Sequence, residues 1–267
     1  MMGMCVSVGK PGEDCANEDA AIDREGLVAV ADGAGGGGLF ADKWSEYLLR
    51  KLPAEPLCTA EETDGWLNGI WEEFYDRYER VAQKAGGLLL NKFYDEGSFA
   101  TLAAVWKLKN GKCRWACYGD SVAFHYNRAS KRLEHSFGKL ADFDEPPFLI
   151  NCKDELDKEG FRAGEFEIDE GSVVFVASDA LSHYVLMMYE VMNRQDFEEE
   201  LHSAQNKHSK NENYIKTAMS LMPFDFEEVV IDRLLSCVED VERFTALVEQ
   251  LTSSNLAAVD DYSLAVL

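Results

Sequence analysis

Thr101-Leu102-Ala103-Ala104-Val105-Trp106-Lys107-Leu108-Lys109-Asn110-Gly111-Lys112-Cys113-Arg114-Trp115-Ala116-Cys117-Tyr118 is the stretch from which the fold can be read. Asn110-Gly111 suits a tight hairpin turn, because both residues tolerate positive φ. The apolar runs 98–109 and 112–118 on either side are then neighbouring antiparallel strands. Gly119-Asp120-Ser121 makes a second tight turn, and Val122–Tyr126 reads as the returning strand. Strands joined this closely form an antiparallel meander, since parallel strands need a long crossover.

Working outward, residues 4–8 and 27–31 read as short strands with a polar loop between them. Strands are also expected near 164–168, at 172–177 and at 262–267. A helix is expected from about Phe40 through Trp44, Tyr47, Leu48 and Leu49, ending before Pro53. The longest helical pattern is 64–85, where Trp66, Ile70, Phe74, Tyr78 and Val81 recur every three or four residues and Gly86-Gly87 ends it. Residues 183–206, 211–221 and 237–252 also read as helices, and 139–171, with Pro146-Pro147, mostly as loop. Runs of strands with helices in pairs favour an α+β chain over alternating βαβ units. Two packed antiparallel sheets flanked by helix pairs, in one domain over 1–267, would bury every apolar face.

Hydrophobic residues make up 46% of the 267, enough for a sizeable core, and the formal net charge is −23. That charge repels nucleic-acid backbones and anionic lipid, so neither is expected as a partner. No stretch approaches the ~20 apolar residues of a membrane span, and the N-terminus lacks the pattern of a signal peptide. The seven cysteines (5, 15, 58, 113, 117, 152 and 237) have no zinc spacing and read as buried, reduced thiols of a cytoplasmic protein.

Three apolar runs meet an aspartate: Leu27–Ala31 runs into Asp32, Val173–Ser178 into Asp179, and Asp260-Asp261 opens Tyr262–Leu267. Carboxylates held at strand mouths and brought together repel one another unless a cation sits between them. Asp32 also opens the glycine run 32–38. That loop lacks the lysine and hydroxyl of a P-loop, and an aspartate at its head suits a cation better than a phosphate.

Taken in order, six short elements resemble the PPM, or type 2C, family of metal-dependent protein phosphatases, in a divergent, bacterial-like form. They are Asn17-Glu18-Asp19-Ala20, Val30-Ala31-Asp32-Gly33-Ala34-Gly35-Gly36, Gly97-Ser98-Phe99-Ala100, Gly119-Asp120-Ser121, Val176-Ala177-Ser178-Asp179 and Asp260-Asp261-Tyr262-Ser263. The resemblance spans nearly the whole chain. It implies an α-β-β-α sandwich with a binuclear Mg²⁺ or Mn²⁺ centre at one end. Asp32 would bridge the two ions and the Gly33 carbonyl would ligate one of them. Asp179 and Asp260 would hold the other. Glu18 and Asp19 would supply a further ligand and a hydrogen bond to water, with the assignment between them open. Asp32, Asp179 and Asp260 would form the catalytic core. Oxygen ligands of this kind suit Mg²⁺ or Mn²⁺ rather than zinc or copper. The implied reaction is hydrolysis of phosphoserine or phosphothreonine in a protein substrate by a monomeric enzyme.

Several positions depart from the family pattern. Asp14 stands about where an arginine binds the substrate phosphate, which leaves Lys10 as the nearby cation for that role. Ala34, Val122, Ala180 and His183 also differ. A second reading therefore stays open: a catalytically impaired relative that acts as a binding or regulatory module. Among other candidates, the five histidines show no ligand spacing, and Ser121 has no visible histidine–aspartate partnership. The aromatic stripe of 66–81 reads as core, and the acidic segment Asp196–Glu200 as a solvated face.

Overall fold

The computed structural model describes residues 4–36, 38–194 and 196–267. Gly37 of the glycine run, Gln195 inside the expected helix 183–206, and residues 1–3 lie outside the described residues. Twelve strands and nine α-helices are described. One sheet has the order β1 (Met4–Val8), β12 (Tyr262–Val266), β11 (Ser172–Ala177), β7 (Val122–Asn127) and β8 (Arg132–His135). The other runs β10 (Phe161–Glu167), β6 (Lys112–Tyr118), β5 (Leu102–Lys107), β3 (Leu27–Ala31) and β2 (Ala20–Arg24). A two-stranded piece pairs β4 (Phe99–Ala100) with β9 (Ile150–Asn151). Every pairing is antiparallel, in agreement with the α+β expectation.

Alternation along the strands assigns the layers. Val28, Val30, Ala103, Val105, Cys113, Cys117, Ala123, Val174, Val176 and Ala265 face inward and form the core between the sheets. Their neighbours in sequence face outward. Leu27, Ala29, Leu102, Ala104 and Trp106 meet α1 (Ala41–Lys51), α2 (Ala60–Asn68), α3 (Trp71–Ala85) and α4 (Gly87–Glu96). On the opposite side, Phe124, Tyr126, Phe175, Tyr262 and Leu264 meet α5 (Asp179–Asn193), α7 (Asn211–Ser220), α8 (Arg233–Cys237) and α9 (Val241–Ser253). The remaining helix, α6 (Glu198–Lys207), packs on α7 and on the short 3-10 turn Leu140–Asp144. The molecule is thus helices, sheet, sheet, helices.

Several sequence expectations need correction. The strand after Gly119-Asp120-Ser121 does not return beside β6. That edge of β6 is taken by β10, with Phe161 opposite Tyr118, and β7 crosses to the other sheet beside β11. A tight turn can close a hairpin or switch sheets, and its residues alone do not say which. The helix expected over 64–85 is two helices. Thr59 caps the first by accepting the Glu62 N–H at 3.1 Å, and Gly69 closes it. Gly86, at φ 93°, ends α3, yet Gly87 opens a further helix. The strand near 164–168 spans Phe161–Glu167. The 183–206 pattern is also two helices, the first beginning at Asp179. At the corner Arg194 bonds Glu190 and, at 2.8 Å, Glu200. Glu200 is therefore buried and not part of a solvated face. Asp240 accepts the Arg243 N–H at 3.1 Å and starts the last helix at Val241 rather than at 237. In the aromatic stripe Phe74 is core, but Val81 is exposed. All seven cysteines are free thiols; Cys113, Cys117, Cys152 and Cys237 are buried, whereas Cys15 and Cys58 are exposed. Among the described residues no helix is long and apolar enough to cross a membrane.

Candidate active site

The two sheets converge at one end of the sandwich on a set of acidic side chains. Asp32 follows β3 and Asp19 precedes β2, both in one sheet. Asp179 follows β11 and Asp260-Asp261 precedes β12, both in the other. Asp120 lies on the turn by which the chain passes between them. Five segments distant in sequence thus meet because each strand end carries its acid to the same rim.

The backbone at this rim is held firmly. The Thr101 N–H donates to the Asp32 carbonyl at 2.8 Å, and the Ala34 N–H to Phe99 O at 3.0 Å. Ser178 and Ser263 lock β11 to β12. The Ser263 N–H donates to Ser178 Oγ at 2.9 Å, and the Ser178 N–H to Ser263 O at 3.1 Å. Asn17 Oδ1 accepts the Asp19 N–H at 3.1 Å, and Asn17 Nδ2 donates to Ser7 Oγ at 2.7 Å, so Asn17 shapes the loop that presents Asp19. Gly33 is required by packing: a β-carbon there would stand 2.4 Å from the Glu18 carbonyl oxygen and 2.9 Å from the Ala41 backbone.

Crowding of like charges sets the electrostatics. Burial pushes the Asp32 carboxyl well above the usual carboxylate range, and Asp19, Asp120 and Asp260 push it further, while a hydrogen bond with Asp179 opposes them. Burial, then Asp32, Asp120 and Asp260, do the same to Asp179. Asp19 is raised by burial and then by Asp179, with Ser178 opposing. One of its oxygens, Oδ2, is buried with no hydrogen-bond partner. Asp120 is pushed up to about 6 by burial, with Arg162 countering.

The remaining sequence candidates lie around this group with distinct surroundings. Glu18 turns toward the glycine loop, where its carboxylate fills the space that a β-carbon on Gly35 would need. Asp261 accepts the backbone N–H of Lys10 and of Glu18, each at 2.9 Å, and so fixes the 9–18 loop. Lys10 Nζ pairs with Asp260 Oδ1 at 3.0 Å. The Gly33 carbonyl accepts the Gly35 N–H at 3.1 Å within a tight turn.

Asp120 is absent from the sequence-derived ligand set, yet it stands inside the cluster. The signal was the Gly119-Asp120-Ser121 turn itself. Gly119 adopts φ 85°, and a β-carbon there would lie 2.7 Å from the Phe148 carbonyl and from Thr101 Cγ2. Its own carbonyl accepts from Arg162 Nη2 at 2.6 Å, and Arg162 Nε donates to Ser136 O at 3.0 Å. Arg162 thus carries the turn and is the cation nearest Asp120 in effect. Arg162→Ala is expected to leave the Gly119 carbonyl unpaired and lower stability by about 1–3 kcal/mol. A fall in the urea midpoint at unchanged m-value checks this; an unchanged midpoint would contradict it.

As they stand, no three His, Cys, Asp or Glu side chains among the described residues are grouped to hold a metal ion. Their chemistry nonetheless fits a hard divalent cation. The donors are carboxylate and carbonyl oxygens, an Asp19 oxygen is buried and unpartnered, and the carboxyls of Asp19, Asp32 and Asp179 crowd so closely that each raises another's pKa. The serine-hydrolase alternative finds no support at this rim. Ser121 Oγ shares a hydrogen bond with Thr101 Oγ1 at 2.7 Å. At the far end of the sandwich His125 bonds both Glu134, at 3.0 Å, and Ser172 Oγ, at 2.8 Å. There Ser172 is bound into the 169–172 turn by the Asp169 N–H and carboxylate, and it closes the start of a strand.

The architecture, two antiparallel sheets between outer helices, matches the fold of solved serine/threonine phosphatases. Among solved structures the chain is similar to PppA, a regulatory component of T6SS in Pseudomonas aeruginosa, at 17% identity and TM-score 0.51, covering 100% of this chain and 97% of that one. It is similar also to the serine/threonine phosphatase Stp1 from Staphylococcus aureus, at 15% identity and TM-score 0.50, covering 100% and 94%. The catalytic domain of the serine/threonine protein phosphatase PstP in complex with 2 manganese ions aligns at 13% identity and TM-score 0.50, over 99% and 97%. At such identities the likeness establishes the fold. No protein-family model and no curated protein matches the sequence.

Proposed function

We propose that the chain is a phosphoserine/phosphothreonine protein phosphatase that works with two Mg²⁺ or Mn²⁺ ions. The observation that carries this reading is the gathering of Asp19, Asp32, Asp120, Asp179 and Asp260 from both sheets at one rim, where each raises the energy of its neighbours' charge. Asp32, Asp179, Asp260, Asp19 and the Gly33 carbonyl would hold the ions. Asp120 joins them as a neighbour that the sequence motifs alone did not assign. Such ions, when bound, acidify water and offset charge on a phosphoryl group. The chain's own part is to hold the acids at rigid strand ends and to fix their spacing, so that little reorganisation accompanies the reaction. No covalent intermediate is called for, because among the described residues no histidine hydrogen-bonds to Ser121 or Ser178 to act as a base; Ser121 pairs with Thr101 and Ser178 Oγ accepts the Ser263 N–H. Hydrolysis of p-nitrophenyl phosphate with Mn²⁺, comparing wild type with Asp32→Asn, tests the proposal.

One observation favours the second reading, a binding module without turnover. Lys10, the cation expected to meet substrate, is already paired with Asp260. Burial alone would lower its pKa, but Asp260 raises it, so its charge is firmly kept and partly spent within the cluster. Equal, negligible hydrolysis by wild type and Asp32→Asn would decide for that reading.

A further inference from the structure

A cavity of about 280 Å³ opens beside the acidic cluster, between the start of α5, the 140–144 turn and the start of α7. Asp120 and Asp179 of the cluster are among the residues that line it. Ser209, Lys210 and Asn211 line it as well. This placement is built rather than incidental. Asn211 Nδ2 donates to Asp144 Oδ1 at 2.8 Å and ties the start of α7 to the 140–144 turn, while Ser209 Oγ accepts the Asn211 N–H at 3.0 Å. Lys210 is exposed, and among the described residues no carboxylate lies within ion-pair distance of its ammonium.

A second, independent feature points to a ligand. His183 sits one turn along α5 from Asp179 and lines the same cavity, 6% exposed. Its Nε2 is buried with no hydrogen-bond partner. Its ring is packed edge-on against Phe143 and Tyr214, at centroid distances of 5.3 and 6.1 Å. A buried polar atom without a partner is costly unless something enters to satisfy it.

We propose that this cavity receives the phosphorylated side chain of the substrate, with Lys210 as the cation that binds the phosphate dianion and His183 Nε2 as a hydrogen-bond partner in the wall. The proposal rests on the phosphatase reading and deepens it. It supplies from the α6–α7 corner the positive charge that Asp14 does not provide and that Lys10 gives to Asp260. A flexible lysine binds phosphate as a point charge. A cavity at the small end of ligand pockets admits a single side chain and leaves the rest of a peptide on the surface. Lys210 is thus a substrate-binding residue, and its loss should act on KM rather than on kcat.

The test is calorimetric titration of the Mn²⁺-loaded protein with inorganic phosphate, alongside steady-state hydrolysis of a phosphothreonine peptide. Lys210→Ala is expected to weaken phosphate binding about tenfold, the effect of losing one charge-assisted contact. The peptide KM should rise by a similar factor while kcat stays within about twofold, and Lys210→Arg should restore both. His183→Leu should weaken phosphate binding too, provided its circular dichroism matches wild type. Phosphate affinity unchanged in Lys210→Ala, or no binding by wild type at millimolar phosphate, would overturn the proposal. The two readings separate cleanly. Hydrolysis by a wild type whose phosphate affinity ignores Lys210 sinks the subsite alone. Lys210-dependent phosphate binding without hydrolysis supports the subsite and sinks the phosphatase.

Discussion

Asp32→Asn is expected to lower phosphomonoester hydrolysis by about 10³-fold, equivalent to about 4 kcal/mol of transition-state stabilisation. Asp32 is the acid on which the others converge. Asp19, Asp120 and Asp260 raise its pKa and Asp179 shares a hydrogen bond with it. Asparagine keeps the shape but removes the charge that would hold a cation. The same change relieves repulsion, so the variant should melt at or above the wild-type temperature in metal-free buffer. Activity lost with stability intact locates the defect in the site and not in the fold. Activity retained within about tenfold would contradict the role given to Asp32.

The second large effect concerns stability and its dependence on metal and pH. The metal-free protein folds against the mutual repulsion of its buried acids. Mg²⁺ or Mn²⁺ should therefore raise the melting temperature, and a chelator should reverse the rise; ligand at about 100 times its Kd contributes about 2.7 kcal/mol. For a chain near this size each kcal/mol moves the midpoint by roughly 2–4 °C. Asp179→Asn should by itself raise the metal-free midpoint and blunt the response to metal. The sign with pH follows from linkage. Asp19, Asp32 and Asp179 are raised and Asp120 is pushed up to about 6, so these groups hold protons in the folded state that the unfolded chain has released. Their contribution to stability is present below the unfolded carboxylate pKa of about 4 and declines as pH rises toward and past 6. The advantage of Asp179→Asn over wild type should accordingly vanish near pH 4 and grow toward pH 7. Melting curves at several pH values with chelator check this, and an advantage independent of pH would argue against charge relief.

The strands that carry the site were legible because their apolar runs are long and their turns explicit. Leu27–Ala31 and the Val174–Ala177 part of β11 are buried on both faces, so every residue there is apolar and the aspartate that follows stands out. Other elements lack that contrast. β2, Ala20–Arg24, is a half-buried edge strand that reads as polar loop, and β8 is a short edge strand, Arg132–His135. The helix Gly87–Glu96 begins on a residue that usually ends one. Asp120 was missed as a site residue because its turn looks like a hairpin closure. Only the pairing of β6 with β10 and of β7 with β11 shows that the turn bridges the sheets, which brings Asp120 close enough to raise the pKa of Asp32 and of Asp179. The cavity lining at Ser209–Asn211 is illegible in sequence for a related reason. It is brought to the rim by the Asn211–Asp144 contact across 67 positions of chain, which no local pattern encodes.

Anomalous diffraction at the manganese edge, from crystals grown with Mn²⁺, reads out whether acids from both sheets hold divalent cations at this rim. Two peaks about 3.5–4 Å apart, the spacing of two-metal hydrolases, are expected, both within ligating distance of Asp32 and flanked by Asp179 and Asp260. Manganese bound elsewhere on the surface, with no peak beside Asp32, would contradict the role given to these acids.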